Sequence, residues 1–348
     1  MLKVTYLNAD TSSLLSFSSA ASELSPSDAR RKQVTIVIDP WLRGSTTILC
    51  PLFYKSTHSV QPTVSSLSDI DEPSIVLITH DKPDHCHKET LTTLSPNVRS
   101  VILAVPSAAK LIRSWNHFKA ENVLTLPKFD SASDFCVYRH AVPSTSSSGC
   151  AGELTIAYIA PDRDISGLRV AIGITYRPPK EFSQHKADNG SMAYQLGSTD
   201  HSLASQNELP QAEDIDKTLS VLYSPHGLPY QILKPYVESY LAANAALPLS
   251  LLMHCFRIIR NPFYLGGLIT TGAIGGSEIA KKTRARHWVS VHDEEKNDRG
   301  FSVSQSQITQ YSVEEVQQLI HEWCQDPIAT QRFPKVFELS SGEEYTIS

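Results

Sequence analysis

The sequence has few cysteines and no cysteine pair of the kind that binds zinc or forms a redox centre. Six cysteines are scattered along 348 residues, and none belongs to a Cys-x-x-Cys motif. Free thiols in a reducing compartment account for this pattern, so no disulfide framework is expected. The N-terminus also lacks the apolar core and cleavage site of a signal peptide. We therefore expect a cytoplasmic protein.

Long hydrophobic runs and basic clusters are equally scarce. The most apolar stretch, residues 245–256, is too short for a membrane span and is interrupted by His254. The net charge is −5, and basic residues cluster only at 281–286, so nucleic acid is not expected as a partner. A Gly-x-Ser-x-Gly elbow and a dinucleotide-binding fingerprint are absent as well. The oligomeric state is left open.

The composition is that of a soluble globular protein, with 41% hydrophobic and 19% charged residues. The length allows one large domain, and we predict a single domain over residues 1–348. The stretch at about 178–216 is polar and shows no periodicity, which predicts a surface insertion. Residues 9–33 are predicted to form an exposed hairpin loop, and residues 231–260 favour helix. The glycine-rich segment 265–278 indicates close packing or a loop.

Apolar runs separated by polar turns predict a series of strands. They cover residues 2–8, 34–38, 75–78, 101–105, 123–126, 135–138, 154–159, 168–176, 219–223 and 287–293. Amphipathic spacing predicts helices over 106–115 and 312–323.

The most informative stretch of the sequence is Ile75–Thr90. Its first four residues are apolar and predict a strand buried on both faces. The loop that follows, residues 80–87, contains three histidines, one cysteine and two aspartates, and Pro83 prevents the strand from continuing. A helix is predicted to open at residue 88. Loops with this composition at the carboxyl end of a buried strand are where α/β folds place their chemistry.

The spacing His80-x-Lys82-x-Asp84-His85 resembles the His-x-His-x-Asp-His signature of the metallo-β-lactamase superfamily. The Asp-Pro-Trp-Leu sequence at residues 39–42, directly after a predicted strand, looks like the lactonase-type branch of that superfamily. The resemblance implies an α/β fold, an αββα sandwich with two mixed β-sheets between helices. It further implies metal ligands at strand ends along one edge of the sandwich.

The resemblance implies a particular set of ligands. His80 corresponds to the first histidine of the signature, Asp84 and His85 to its Asp-His pair, and His140 and His292 to the histidines of later motifs. His226 stands where the family usually has an aspartate that bridges two metals. The implied metal ligands are therefore His80, Asp84, His85, His140, His226 and His292.

Two departures from the family pattern argue against a dinuclear site. Lys82 replaces a histidine ligand, and two positive charges about 4 Å apart repel by about 4 kcal/mol at an effective dielectric constant of about 20. Lys82 could bind a metal only after deprotonation, against a reference pKa of about 10.4. His226 replaces the bridging carboxylate, and a neutral imidazole cannot bridge two metals. A mononuclear site is therefore predicted.

Two mononuclear arrangements remain open. Asp84, His85 and His292 form a two-histidine, one-carboxylate set that suits zinc, iron or manganese. Alternatively, His226 could rebuild a three-histidine site together with His80 and His140. Either arrangement predicts one divalent metal, with zinc preferred, and a bound water of lowered pKa.

The resemblance to the lactonase-type branch implies a small-molecule substrate that contains a carbonyl group. On this basis we predict a hydrolase of an ester, lactone or related acyl bond that uses a metal-bound hydroxide. Asp84 and Lys82 are the predicted catalytic residues, and Lys82 would stabilise developing negative charge. A metal-dependent lyase or isomerase, in which Lys82 holds a substrate carboxylate, is one alternative. A metal-free member of the fold that binds a small ligand is another.

Three other residues, each outside the implied ligand set, have simpler interpretations. Asp293 either orients His292 or is a solvated loop acid. His254 is expected to be a core histidine, and His87 to cap or pack under the helix that follows it.

Overall fold

Two seven-stranded β-sheets form the centre of the molecule. The structure is a computed structural model that describes residues 1–19, 33–133, 136–144, 149–180, 218–323 and 333–348. The strands are β1 (Leu2–Tyr6), β2 (Ser13–Phe17), β3 (Val34–Ile38), β4 (Thr46–Ile48), β5 (Tyr54–Ser56), β6 (Ile75–Ile78), β7 (Val101–Ala104), β8 (Val123–Thr125), β9 (Val137–Val142), β10 (Gly152–Ile159), β11 (Ala171–Arg177), β12 (Leu219–Ser224), β13 (Leu251–His254), β14 (Ile258–Arg260), β15 (Leu268–Thr271), β16 (His287–Val289), β17 (Gln307–Thr309), β18 (Lys335–Phe337) and β19 (Glu344–Ile347). The α-helices are α1 (Lys88–Leu91), α2 (Pro106–Ser114), α3 (Tyr230–Pro235), α4 (Gly272–Thr283), α5 (Phe301–Ser304) and α6 (Val313–Trp323). A π-helical segment, Tyr236–Leu241, continues α3.

Both large sheets are mixed. The first has the order β19-β1-β2-β3-β6-β7-β8, and its strands from β3 to β8 are parallel. The second has the order β18-β16-β13-β12-β11-β10-β9, and its strands from β18 to β12 are parallel. All four residues of β6 are buried, as expected for a central parallel strand that is covered on both faces.

Alternation along the strands builds two apolar layers around the second sheet. Val221 and Tyr223 of β12 pack into the core shared with the first sheet. Leu222, between them, packs with Leu233 of α3 and Ile279 of α4 on the opposite face. Successive side chains of a strand point to opposite faces, so one strand can serve both layers. Helices α1 and α2 contribute to the first core from the outer side of the first sheet. The predicted αββα sandwich is confirmed.

Several local predictions were wrong. The stretch predicted to be helix, 231–260, is helical only to Leu241 and then contains β13 and β14. β13 lies between β12 and β16, and this pairing decides its conformation. The predicted loop at 9–33 contains β2, and the glycine-rich segment 265–278 contains β15 and the start of α4.

Close packing nevertheless explains one glycine of that segment. A Cβ atom at Gly276 would lie 2.1 Å from Cζ2 of Trp288, so the residue lets α4 approach β16. The predicted insertion at 178–216 lies almost entirely outside the described residues, so the single-domain prediction stays a prediction. Among the described residues, no helix is long and apolar enough to cross a membrane.

Candidate metal centre

The candidate ligands lie just beyond the carboxyl ends of parallel strands from both sheets. His80 follows β6 of the first sheet, whereas His226 and His292 follow β12 and β16 of the second. A tight turn between β6 and α1 carries the signature residues, because the Lys82 carbonyl accepts hydrogen bonds from the amides of His85 (3.0 Å) and the next residue. The two sheets therefore meet at a cluster of imidazoles.

Five of the six predicted ligands form two groups that share one histidine. The first group is His80, His85 and His226, and the second is Asp84, His85 and His292. Within each group the ligand atoms lie within 4.8 Å of one another. No larger group occurs in the part of the chain that the structure describes. A single imidazole nitrogen binds one metal ion at a time, so the shared histidine favours a mononuclear site.

His85 is the centre of the cluster. Its Nδ1 lies 2.8 Å from Oδ2 of the fully buried Asp39, and its Nε2 lies 3.1 Å from Nε2 of His226. Burial lowers the pKa of His85, but the carboxylates of Asp84 and Asp39 outweigh it and raise the pKa. One of the two rings can therefore donate a hydrogen bond to the other, and both histidines are candidate metal ligands.

His80 is oriented by the same carboxylate through Thr79. The Thr79 hydroxyl donates to Asp39 Oδ2 (2.5 Å) and lies 2.7 Å from Nδ1 of His80. Nε2 of His80 is 3.2 Å from the Leu168 carbonyl oxygen, so it donates there when protonated and is a ligand when it is not. Burial and the neighbouring His85 lower the pKa of His80 to about 3, which keeps the ring neutral.

His226 completes the first group and is held by its own main chain. Arg169 donates to the His226 carbonyl (3.0 Å), and the Thr271 amide donates to the same oxygen (3.0 Å). Burial and the surrounding histidines lower the pKa of His226 well below its ordinary value. Its Nδ1 is buried and has no hydrogen-bond partner among the described residues, although buried polar atoms are normally paired.

In the second group a carboxylate faces two imidazoles. Oδ2 of Asp84 lies 3.9 Å from Nε2 of His85 and 3.9 Å from Nε2 of His292. Burial raises the pKa of Asp84, but the two imidazoles outweigh it and lower the pKa, so this carboxyl is ionised. The Nδ1 of His292 is within 3.1 Å of Asp10, whose carboxylate is also bound by Lys296.

The donor atoms fit a divalent metal. Two imidazole nitrogens that bind one tetrahedral zinc ion at 2.0–2.1 Å lie about 3.3 Å apart, close to the 3.1 Å between the Nε2 atoms of His85 and His226. Neutral histidines and one ionised carboxylate are also the ligand types that zinc, iron and manganese accept. Buried carboxylates behind His85 and His292 supply the outer hydrogen bonds that metal-bound histidines usually have.

Two predicted site residues lie outside both groups. His140 is in β9, the edge strand of the second sheet, where it pairs with Leu154 and is partly exposed. Strands β10 and β11 separate β9 from β12, so the structure does not bring His140 to the cluster. Lys82 directs its ammonium group to Asp81 (2.9 Å) and lines a cavity of about 420 Å³ together with His80.

The remaining sequence interpretations have definite outcomes. His87 caps α1, because its Nδ1 accepts from the Thr90 amide (3.3 Å), and His254 is fully buried, although in a strand. Asp293 does neither of the things proposed for it, since its carboxylate accepts the amide of Arg257 (2.9 Å) and that of the preceding residue. The carboxylate that orients His292 is Asp10, for which the sequence pattern offers no signal.

Comparisons with known proteins agree with this architecture. Residues 29–134 match a family model described as a beta-lactamase superfamily domain. The chain is similar to the crystal structure of isothiocyanate hydrolase from Delia radicum gut bacteria, with 16% identity, a TM-score of 0.51 and 99% of each chain covered. Similarity at this level shows the fold alone.

Two further solved structures are similar at lower scores. One is Igni18, a metallo hydrolase from the archaeon Ignicoccus hospitalis, with 12% identity, a TM-score of 0.48 and coverage of 99% of this chain and 97% of that chain. The other is unliganded yeast PDE1, with 10% identity, a TM-score of 0.48 and coverage of 99% and 98%. No curated protein matches the chain.

Proposed function

We propose that this chain, which carries a beta-lactamase superfamily domain in the metallo-β-lactamase fold, is a metal-dependent hydrolase of an ester, lactone or related acyl bond. The observation that carries the proposal is the pair of ligand groups that share His85 at the strand ends of both sheets. A lactonase-type substrate, zinc as the metal and a cytoplasmic location remain predictions.

The residues of the two groups would hold one divalent metal ion. Such an ion supplies Lewis acidity, which polarises an acyl carbonyl and activates water. His85 belongs to both groups and is the ligand that any arrangement requires. Asp84 is ionised, its side chain is 16% exposed, and it can accept a hydrogen bond from a water molecule that enters the site.

The cavity beside His80 is the proposed substrate site. It has a volume of about 420 Å³, and its lining includes Lys82, Ser107, Tyr158 and Arg169. The Lys82 side chain is one-third exposed and paired with a partly exposed aspartate, so a substrate oxygen can compete for its ammonium group. Lys82 would then stabilise the negative charge that develops on the carbonyl oxygen.

Metal content of the purified protein tests the proposal directly. The wild type, prepared without added metal, is expected to contain about one equivalent of a divalent metal. His85→Ala removes a ligand from both groups and should abolish binding, whereas Asp84→Ala and His226→Ala each disable one group. His140→Ala is the matched control, because His140 lies outside both groups.

The result decides between the alternatives. If metal is lost with Asp84→Ala and retained with His226→Ala, the second group is the site; the reverse result assigns the first group. Two equivalents would contradict the mononuclear interpretation. A metal-free wild type would overturn the proposal and favour the small-ligand-binding alternative. Uptake of oxygen from ¹⁸O-labelled water during turnover of test esters and lactones separates hydrolysis from lyase or isomerase chemistry.

A further inference from the structure

A buried ion pair beside the candidate metal centre has no role in the hydrolysis proposed above. Asp10 follows β1, and Lys296 follows β16, yet the Lys296 ammonium group lies 2.8 Å from Oδ2 of Asp10. The Asp10 side chain is fully buried, and that of Lys296 is 7% exposed. Removing two charges from water is costly, so such a pair needs a compensating arrangement around it.

The arrangement converges on His292. Both carboxylate oxygens of Asp10 contact Nδ1 of His292, at 3.1 and 3.2 Å, and Lys296 lies 3.5 Å from the same nitrogen. The Asp10 carbonyl also accepts a hydrogen bond from the His292 amide (2.9 Å). One residue therefore fixes both the backbone and the ring of a candidate ligand that is 282 positions away.

The backbone at His292 requires such support. Its φ of +64° lies in the left-handed region, which residues other than glycine adopt at an energetic cost. This conformation turns the chain directly after β16, so that Nε2 of His292 faces Asp84 at 3.9 Å. The hydrogen bonds that His292 donates to Asp10 hold the residue in that conformation.

Lys296 in turn fixes the position of the Asp10 carboxylate. It binds Oδ2 of Asp10 and lies 5.8 Å from the ring centre of the fully buried Trp41, so its own position is restricted. A carboxylate held in this way accepts a hydrogen bond from the protonated Nδ1 of His292 and leaves Nε2 as the ligand atom.

We propose that Asp10 and Lys296 are a positioning pair that holds His292 in the tautomer and orientation needed for metal binding. The inference rests on the proposed function in so far as His292 is a ligand. The pair does not touch the reacting atoms, and its contribution is expected in metal affinity.

Zinc titration in competition with a chelator measures that contribution. We expect Asp10→Asn and Lys296→Met to weaken zinc binding by about 10- to 100-fold relative to the wild type, as is usual for outer carboxylate partners of metal-bound histidines. Lys3→Met is the matched control, because Lys3 forms an exposed ion pair with Glu344 in the same sheet. The control should bind zinc within about threefold of the wild type.

A second measurement does not depend on the metal. In the metal-free protein at pH 8, ¹⁵N NMR should show His292 as the tautomer with the proton on Nδ1, and either variant of the pair should produce a tautomer mixture. If the folded variants Asp10→Asn and Lys296→Met keep both the wild-type zinc affinity and the wild-type tautomer, the proposal that this pair positions His292 is wrong.

The two measurements also separate the failure of this inference from the failure of the proposed function. A wild type that binds no zinc would overturn the proposed function. The NMR measurement alone would then show whether Asp10 and Lys296 set the tautomer of His292. If Asp10→Asn does not fold, Lys296→Met carries the test, and Lys296→Arg should restore most of the affinity because it keeps the charge.

Discussion

A single buried carboxylate at the end of β3 orients two of the three histidines in the loop at residues 80–87. Oδ2 of Asp39 accepts hydrogen bonds from Thr79, His85 and Tyr223, at 2.5, 2.8 and 2.9 Å. His85 is thereby held directly, and His80 through Thr79. The Asp-Pro-Trp-Leu sequence at residues 39–42 therefore begins with a carboxylate that orients side chains of the loop after β6.

Five of the six residues predicted as ligands lie in the cluster, whereas the orienting role of the groups behind them carries no signal in the sequence. A histidine directly after a buried strand carries its chemistry in its residue type and position, as at His80 and His226. A carboxylate can orient a ligand from any distance along the chain. Asp39 is 46 positions from His85, and Asp10 is 282 positions from His292, so only the fold brings them together.

His254 gives a prediction about acid stability. Burial lowers its pKa to about 4, whereas its ordinary value is 6.5. Between these values the unfolded chain takes up a proton that the folded protein excludes, so folding becomes less favourable as the pH falls. The full difference is worth about 3 kcal/mol. We expect His254→Gln to lose about that much less stability than the wild type between pH 7 and pH 4.

Urea unfolding at a series of pH values measures this difference. The exposed His321 of α6 provides the matched control, His321→Gln, for the loss of one histidine. If the stability of His254→Gln follows the same pH dependence as the wild type, proton uptake at His254 does not contribute to acid destabilisation.

At the scale of elements, periodicity predicted the central parallel strands and failed where helix and strand patterns overlap. The run that includes β13 is apolar, and periodicity alone cannot distinguish a short buried strand from a buried helix. Its conformation depends on β12 and β16 on either side, which the local sequence does not reveal. The glycines of α4 were misleading for a related reason, since Gly276 provides room for Trp288 inside a helix.

Arg169 links two elements and gives a prediction at this scale. Its guanidinium group donates to the carbonyls of His226, Gly227, Leu268 and Ile269, so it joins the loop after β12 to β15. We expect Arg169→Met to lower the free energy of unfolding by about 1–3 kcal/mol, because partly buried carbonyls lose a charged donor. Zinc binding should also weaken, because the backbone of His226 is released.

Urea unfolding and zinc titration of Arg169→Met test both effects. Arg177→Met is the matched control, since Arg177 at the end of β11 makes one exposed hydrogen bond to Asn244. Arg169→Lys should recover only part of the loss, because one ammonium group cannot reproduce the planar fork of donors. Stability and zinc affinity equal to those of the control would show that Arg169 does not hold the His226 loop.

For the whole molecule, the candidate metal centre depends on correct packing of the two sheets. His85 comes from the first sheet, and His226 and His292 come from the second, so neither sheet carries a complete ligand group alone. A metal ion that binds this centre binds the folded state and has a much weaker site in the unfolded chain. Binding should therefore stabilise the sandwich as a unit.

Thermal unfolding should reveal this coupling. At a free zinc concentration 100 times the Kd, binding contributes about 2.7 kcal/mol, which for a chain of this length raises Tm by about 4 °C. His85→Ala should show no rise, because it removes the ligand that both groups share, whereas His140→Ala should show the full rise. An equal rise in His85→Ala would mean that zinc binds elsewhere. The absence of a rise in the wild type would mean that the imidazole cluster is not a metal site, and that its buried protons, not an ion, join the two sheets.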